Sequence, residues 1–175
     1  MTRSVEIRPL TKEDDRRDFC CGHPSLDRFF EHYAGQNQFK LHLAVTYVAA
    51  SEGRIIGFAT VAASSIEAVS LPSDLRKRLP TYPLPILRLA RLGVDLREQR
   101  KGIGRALLQH VCKIALAQRD QLGCVGLLVD AKPESEIFYK KLGFAALQGA
   151  REGRLLGDPM PMFIALETLR VAIET

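Results

Sequence analysis

The segment Gln99-Arg100-Lys101-Gly102-Ile103-Gly104-Arg105 constrains this chain more than any other, because two glycines one residue apart separate a strand pattern from a helix pattern. Upstream, Ile86 to Val94 reads as a strand. Downstream, Ile103, Leu107, Val111, Ile114 and Ala115 mark the buried stripe of a helix running to about Arg119. A helix that starts this abruptly exposes the backbone amides of its first turn, and glycine, with no Cβ, lets a ligand come close to them. Those amides and the helix dipole favour an anion, and Arg100, Lys101 and Arg105 add full charges. No Gly-Lys-Ser/Thr follows, so this is not a Walker loop. Leu107 stands where a dinucleotide fingerprint would have its third glycine. The loop therefore predicts a pyrophosphate site for a different cofactor; the plainer alternative is a helix that merely begins with glycines.

Around this loop the pattern is that of a single domain, residues 1–175, within the ~100 to 200 residues one core can organise, and 46% of the residues are hydrophobic. Val5 to Arg8 alternates like a first strand. Leu26, Phe29, Phe30 and Tyr33 share one helical face, which predicts that the three aromatics are core. Leu43, Val45, Tyr47 and Ala49 alternate with their neighbours, Ser51-Glu52-Gly53 is a turn, and Ile55 to Val61 follows, which predicts a hairpin. The proline-rich Leu79 to Pro85 reads as a loop, and its Tyr82 as a ring resting on the surface rather than one stacking on a base. Gly126 to Asp130 is a further strand, Pro133 opens a helix that Gly143 closes, and the last strands are Phe144–Leu147 and Met160–Leu166. Strands flanking a strand-helix-strand-helix unit give an α/β fold, a mixed sheet with helices on both faces.

Charge is unevenly placed. From Arg76 to Arg105 nine Lys or Arg face two carboxylates, a net +7, whereas the whole chain is +5, so the other 145 residues sum to −2. Any anionic partner should meet this middle segment. Cys20, Cys21, Cys112 and Cys124 lack paired spacing and read as reduced thiols, and Cys20, Cys21 and His23 lack the second ligand cluster that zinc would need, so no metal is expected. No run approaches the roughly 20 apolar residues of a membrane span, and the start Met1-Thr2-Arg3-Ser4-Val5-Glu6 lacks the apolar stretch of a signal peptide, which predicts a cytosolic location.

Leu89-Ala90-Arg91-Leu92-Gly93-Val94 followed by Gln99-x-x-Gly102-x-Gly104 resembles the acetyl-CoA-binding signature of the GNAT N-acetyltransferases. Phe138-Tyr139-Lys140-Lys141-Leu142-Gly143-Phe144 resembles the segment where, in that superfamily, a helix runs beneath the CoA arm. More narrowly, Phe19-Cys20-Cys21-Gly22-His23-Pro24-Ser25-Leu26-Asp27-Arg28-Phe29-Phe30, then Ala34, Gln36 and Asn37, look like the opening of the TacT-like toxins of bacterial toxin-antitoxin pairs. Cys21 before the glycine, and Arg100 in place of the common glycine after Gln99, depart from that pattern.

The resemblance implies the GNAT fold, a central, mostly antiparallel twisted sheet with helices on both faces. It also implies acetyl-CoA held by Leu92, Gly93, Val94, Gln99, Arg100, Lys101, Gly102, Ile103, Gly104, Arg105 and Phe138. Arg97 is expected near the same phosphates. Gly93 is compatible with a ligand's close approach and equally with strand packing. Tyr139 is then the donor that protonates the departing thiolate, since a phenol of pKa about 10 keeps its proton at neutral pH. No general base stands out, which suits an α-amino acceptor, near pKa ~7.7, better than a lysine. Glu67, Asp130 and Glu134 are the carboxylates that could serve as a base, and each reads rather as a surface or capping carboxylate.

The implied reaction is acetylation of the α-amino group of aminoacyl-tRNA, which blocks translation; the alternative is a small-molecule or peptide amine. Arg76, Lys77, Arg78, Arg88, Arg91 and Lys140 are the residues assigned to the RNA, with Lys141, Arg151 and Arg154 extending the patch. The implied partners are a ribbon-helix-helix antitoxin that carries the DNA contacts, and a second copy of the chain as a homodimer.

Overall fold

The computed structural model describes residues 4–147, 149 and 158–169, so Arg151 and Arg154 lie outside the described residues. Seven strands form one sheet: β1 (Glu6–Pro9), β2 (Val45–Ser51), β3 (Arg54–Ile66), β4 (Leu84–Val94), β5 (Gly126–Ala131), β6 (Ala145–Ala146) and β7 (Met160–Ala165), in the order β1-β2-β3-β4-β5-β7-β6. Among the described residues the α-helices include α1 (Pro24–His32), α2 (Ser73–Arg76), α3 (Ile103–Gln121) and α4 (Glu136–Lys141). β1 with β2, β2 with β3, β5 with β7 and β6 with β7 are antiparallel, whereas β4 and β5 run parallel, with Leu87 opposite Leu127 and Leu89 opposite Val129. This is the mixed α/β sheet expected of the GNAT fold. None of the described helices is long and apolar enough to cross a membrane.

The chain divides into two compact units: Met1–Ala62 with Ala90–Val111, and Ala63–Leu89 with Cys112–Thr175. The first is built on aromatic packing. Phe30 and Phe58 stack with ring centroids 4.5 Å apart, and Phe19 meets both edge-on at 5.0 and 5.4 Å. Phe29 and Phe30 are buried as expected and Leu26 is half-buried, but Tyr33 caps α1 and is 50% exposed, outside the core. The predicted hairpin forms with a two-residue turn at Glu52 (φ 53°) and Gly53 (φ 75°), closed by the Ser51–Arg54 pair; two left-handed residues match the twist of the flanking strands. Its alternation is corrected. Leu43 precedes β2 and is 62% exposed, while Thr46, Val48 and Ala49 are buried, with a register shift between Ala49 and Ala50. The Thr46 and Thr60 hydroxyls bond each other at 2.7 Å, which satisfies both inside the sheet.

In the second unit the buried side chains of β4, β5 and β7 meet Ile66 at the end of β3 and Ala68 and Leu71 of the segment that follows it. Pro133 opens a 3₁₀ turn, Pro133–Ser135, ahead of α4, and Gly143 (φ 101°) ends α4 as expected. Leu84 and Pro85 belong to β4 rather than to the proline-rich loop, and α2 has no counterpart in the sequence pattern. All four cysteines are free thiols, Cys20 exposed and the others buried.

Candidate functional site

In the first unit, β4 ends at Val94 and the chain makes a 3₁₀ turn at Leu96–Glu98 before the loop. Two buried carboxylates shape this passage. Asp95 is 1% exposed and accepts from the backbone N–H and guanidinium of Arg97 at 2.9 to 3.0 Å and from the Cys20 N–H at 3.4 Å. Burial opposes its charge, but these hydrogen bonds outweigh that and hold the carboxyl below its ordinary value. Glu98, 4% exposed, divides its carboxylate between Arg54 Nη2 at 2.8 Å and Lys101 Nζ at 3.1 Å. Gln99 donates through Nε2 to the carbonyls of Cys21 at 3.2 Å and Val94 at 3.0 Å, tying the loop to the segment before α1.

The loop then takes two left-handed steps, Arg100 at φ 64° and Gly102 at φ 84°. A Cβ on Gly102 would meet nothing within 4 Å, and one on Gly104 only Val94 Cγ2 at 3.6 Å, so the space above the loop is open. The first intrahelical bond of α3 runs from Ala106 N–H to Gly102 O at 3.0 Å. The amides of Ile103, Gly104 and Arg105 therefore have no partner one turn back within the helix. Among the described residues no carboxylate pairs with Arg100 or Arg105, both exposed, whereas Arg97 and Lys101 are held by Asp95 and Glu98. An open amide turn with two uncommitted guanidinium groups fits a diphosphate.

The neighbouring strand positions divide. Leu92 and Val94 are half-buried. Gly93 is buried, and a Cβ there would lie 3.0 Å from Phe58 Cε1 and 3.4 Å from Cys21 Sγ, so side-chain packing is what confines this position. Ile103 is likewise buried, its Cγ2 lying 3.0 Å from a Cβ built on Gly57.

In the second unit, α4 carries Phe138 and Tyr139. Tyr139 is 5% exposed, between the ring edges of Phe138 and Phe144 at centroid distances of 5.2 and 5.3 Å, and Phe138 is 37% exposed. Burial, and then the negative charge of Asp130, push the Tyr139 phenol well above its ordinary value. None of the described residues accepts a hydrogen bond from its hydroxyl, so this is a protonated donor with its proton uncommitted. Asp130, expected as a surface or capping carboxylate, is half-buried and serves as an ion-pair partner. Its Oδ2 takes both Nε (2.9 Å) and Nη2 (2.5 Å) of Arg88, and its side chain is 21% exposed.

The cations assigned to RNA do not stand alike. Arg76, Lys77 and Lys140 are exposed with no carboxylate partner among the described residues. Arg78 reaches Glu167 at 3.4 Å, Arg88 is forked on Asp130, and Arg91 lies 3.9 Å over the Phe29 ring. The bracing carboxylates Asp95 and Glu98 and the hairpin cation Arg54 were not singled out in the sequence. Their only signal is the pairing of two acids with four loop cations, which becomes visible once the hairpin brings Arg54 to Glu98.

Residues 42–146 match a family model described as an acetyltransferase (GNAT) domain. A tRNA-acetylating toxin from Mycobacterium tuberculosis is 31% identical over 138 residues, covering 78% of this chain and 82% of that protein. Among solved structures, AtaT complexed with acetyl-methionyl-tRNAfMet matches with a TM-score of 0.81 and 25% identity, over 96% of this chain and 98% of that one. AtaTR bound with AcCoA matches with a TM-score of 0.75 and 26% identity, over 95% and 96%.

Proposed function

The chain belongs to the GNAT acetyltransferase family, and from that premise we propose that it transfers the acetyl group of acetyl-CoA to the α-amino group of aminoacyl-tRNA and so blocks translation. The observation that carries the reading is the open amide turn at Gly102–Arg105, flanked by the uncommitted guanidinium groups of Arg100 and Arg105. Bound acetyl-CoA supplies an acetyl thioester. The amides of Ile103, Gly104 and Arg105, with Arg100 and Arg105, hold its diphosphate. Gln99 braces that loop, Lys101 adds a cation beside it that Glu98 restrains, Leu92, Gly93 and Val94 offer strand backbone, and Phe138 offers a ring face. Tyr139 holds a proton at Oη and gives it to the departing sulfur; a phenol shifted upward by burial stays protonated and neutral across the physiological range.

For the acceptor, the reading follows the tRNA-acetylating relative and the surplus of positive charge. Arg76, Lys77 and Lys140 lead the phosphate contacts, and Arg78, Arg88 and Arg91 join them only by leaving their present partners. The same reading takes residues 1–175 as one acetyltransferase domain working in the cytoplasm as a homodimer. A ribbon-helix-helix antitoxin neutralises it and carries the DNA contacts.

The test is incubation with labelled acetyl-CoA and a mixture of aminoacyl-tRNAs. Label should enter the RNA fraction as an N-acetylated amino acid, and Tyr139→Phe should cut the rate by about 10²-fold or more. Label in a free amine or peptide, with none in RNA, overturns the acceptor assignment. An unchanged rate for Tyr139→Phe overturns the donor assignment.

A further inference from the structure

Between β3 and β4 the chain makes an excursion over residues 67–83, and its two sides differ. Inward, Ala68 and Leu71 are buried and Leu75 and Leu79 pack against the same apolar cluster, so the excursion is anchored along its length. Outward stand Arg76, Lys77 and Tyr82. Tyr82 is 64% exposed, and among the described residues no ring contact, hydrogen bond or ion pair engages it. The ring stands at the surface, as the sequence suggested, with no described residue engaging it. Pro80 and Pro83 on either side fix their own backbone torsions, so the ring is offered by a chain that loses little freedom when something binds. Among the described residues Arg76 and Lys77 likewise spend their charge on no carboxylate, whereas Arg78 next to them is tied to Glu167.

An exposed, unengaged aromatic with uncommitted cations in the same anchored segment is the equipment for an unpaired nucleic-acid end. The ring stacks on a base, which every base allows, and the cations take the flanking phosphates. A paired stem offers phosphates but no free base face. Resting on the charged-tRNA reading above, we infer that Tyr82 stacks on an unpaired base of the 3′ end that bears the amino acid, while Arg76 and Lys77 hold the backbone beside it. This makes the excursion the element that distinguishes a single-stranded acceptor end from double-stranded RNA.

The test uses the full chain and two RNA hairpins with the same acceptor-type stem, one with a four-nucleotide unpaired 3′ tail and one blunt, followed by fluorescence anisotropy. Tyr82→Ala should weaken binding of the tailed hairpin roughly five- to hundredfold and leave the blunt one unchanged, and Tyr82→Phe, which keeps the ring, should bind both like the parent. Changing Arg76 and Lys77 together to Gln should weaken both hairpins and flatten the dependence of log K on log salt by about 0.7 to 0.9 per lost phosphate contact. If Tyr82→Ala binds both hairpins like the parent, or if Tyr82→Phe loses as much as Tyr82→Ala, the inference is overturned. Acetyl transfer by the parent protein to charged tRNA is scored separately. Normal transfer with no role for Tyr82 removes this inference alone; absent transfer with Tyr82-dependent tail binding removes the reaction alone.

Discussion

The ring of Phe58 lies against the backbone of Gly93, with Phe58 Cε1 only 3.0 Å from where a Cβ on Gly93 would stand. The ring cannot easily give way, because it is stacked on Phe30 and met edge-on by Phe19. Gly93→Ala should therefore overpack this core and cost about 1 to 3 kcal/mol, seen as a lower denaturation midpoint with an unchanged slope. Phe58→Leu opens room, so the double variant should lose clearly less than the two single losses added together. Strict additivity would show that the ring is not what excludes a side chain at 93.

Glu98 serves two cations at once, and the pair differ in what they lose. Arg54 is about one-third exposed and Lys101 more than half, so solvent screens both contacts and removing the charge with Glu98→Gln should cost only about 1 to 3 kcal/mol. The same change releases the Lys101 ammonium next to the amide turn. Acetyl-CoA affinity at low salt, measured by calorimetry, should hold or tighten while stability falls. Affinity that fell together with stability would mean that the bridge shapes the loop rather than restraining one of its charges.

Stability at acid pH should trace to Asp14. Hydrogen bonds from the Arg8 guanidinium to both oxygens, at 2.8 Å each, together with the Thr11 N–H, hold this carboxyl down from 3.8 to about 2 against the effect of burial. The folded value is below the unfolded one, so the contribution is fully present above pH ~4 and is lost as pH falls toward 2. At 1.36 kcal/mol per pH unit, with the side chain 12% exposed, this is about 2 kcal/mol. The gap between the parent and Asp14→Asn should be near that size at pH 6 and close over this window; a gap constant with pH would remove the ionic explanation.

What the sequence revealed and what it hid follow from range. The α3 stripe, the Glu52-Gly53 turn and the stop at Gly143 are local patterns, each set by residues within a turn or two, and each stands where the periodicity placed it. The two signature motifs carried the family because a loop that must bare its amides has few solutions. Hidden were the partners brought by distant chain: Asp95 received by Cys20, Glu98 by Arg54, Arg88 by Asp130 and Arg91 by Phe29. Counting charge along the chain treated nine cations as one basic surface. Five of them, Arg78, Arg88, Arg91, Arg97 and Lys101, prove to be engaged within the fold, and no periodicity shows which.

Arg100 joins this local and distant reading at one position. Its φ of 64° is the left-handed region that costs a non-glycine residue about 1 to 2 kcal/mol. Arg100→Gly relieves that strain but loosens the unfolded chain by about 0.4 to 1 kcal/mol, so the thermal midpoint should stay level or rise slightly. The guanidinium, uncommitted in the fold, is lost from the diphosphate, and acetyl-CoA should bind about tenfold more weakly at low salt, equivalent to about 1.4 kcal/mol for one charged hydrogen bond. That difference should shrink as salt is raised, since an exposed contact is screened. Arg100→Val provides the converse: a β-branched side chain at positive φ should lower the midpoint and the affinity together. If Arg100→Gly bound acetyl-CoA as tightly as the parent across the salt series, the strained arginine would have no part in holding the donor.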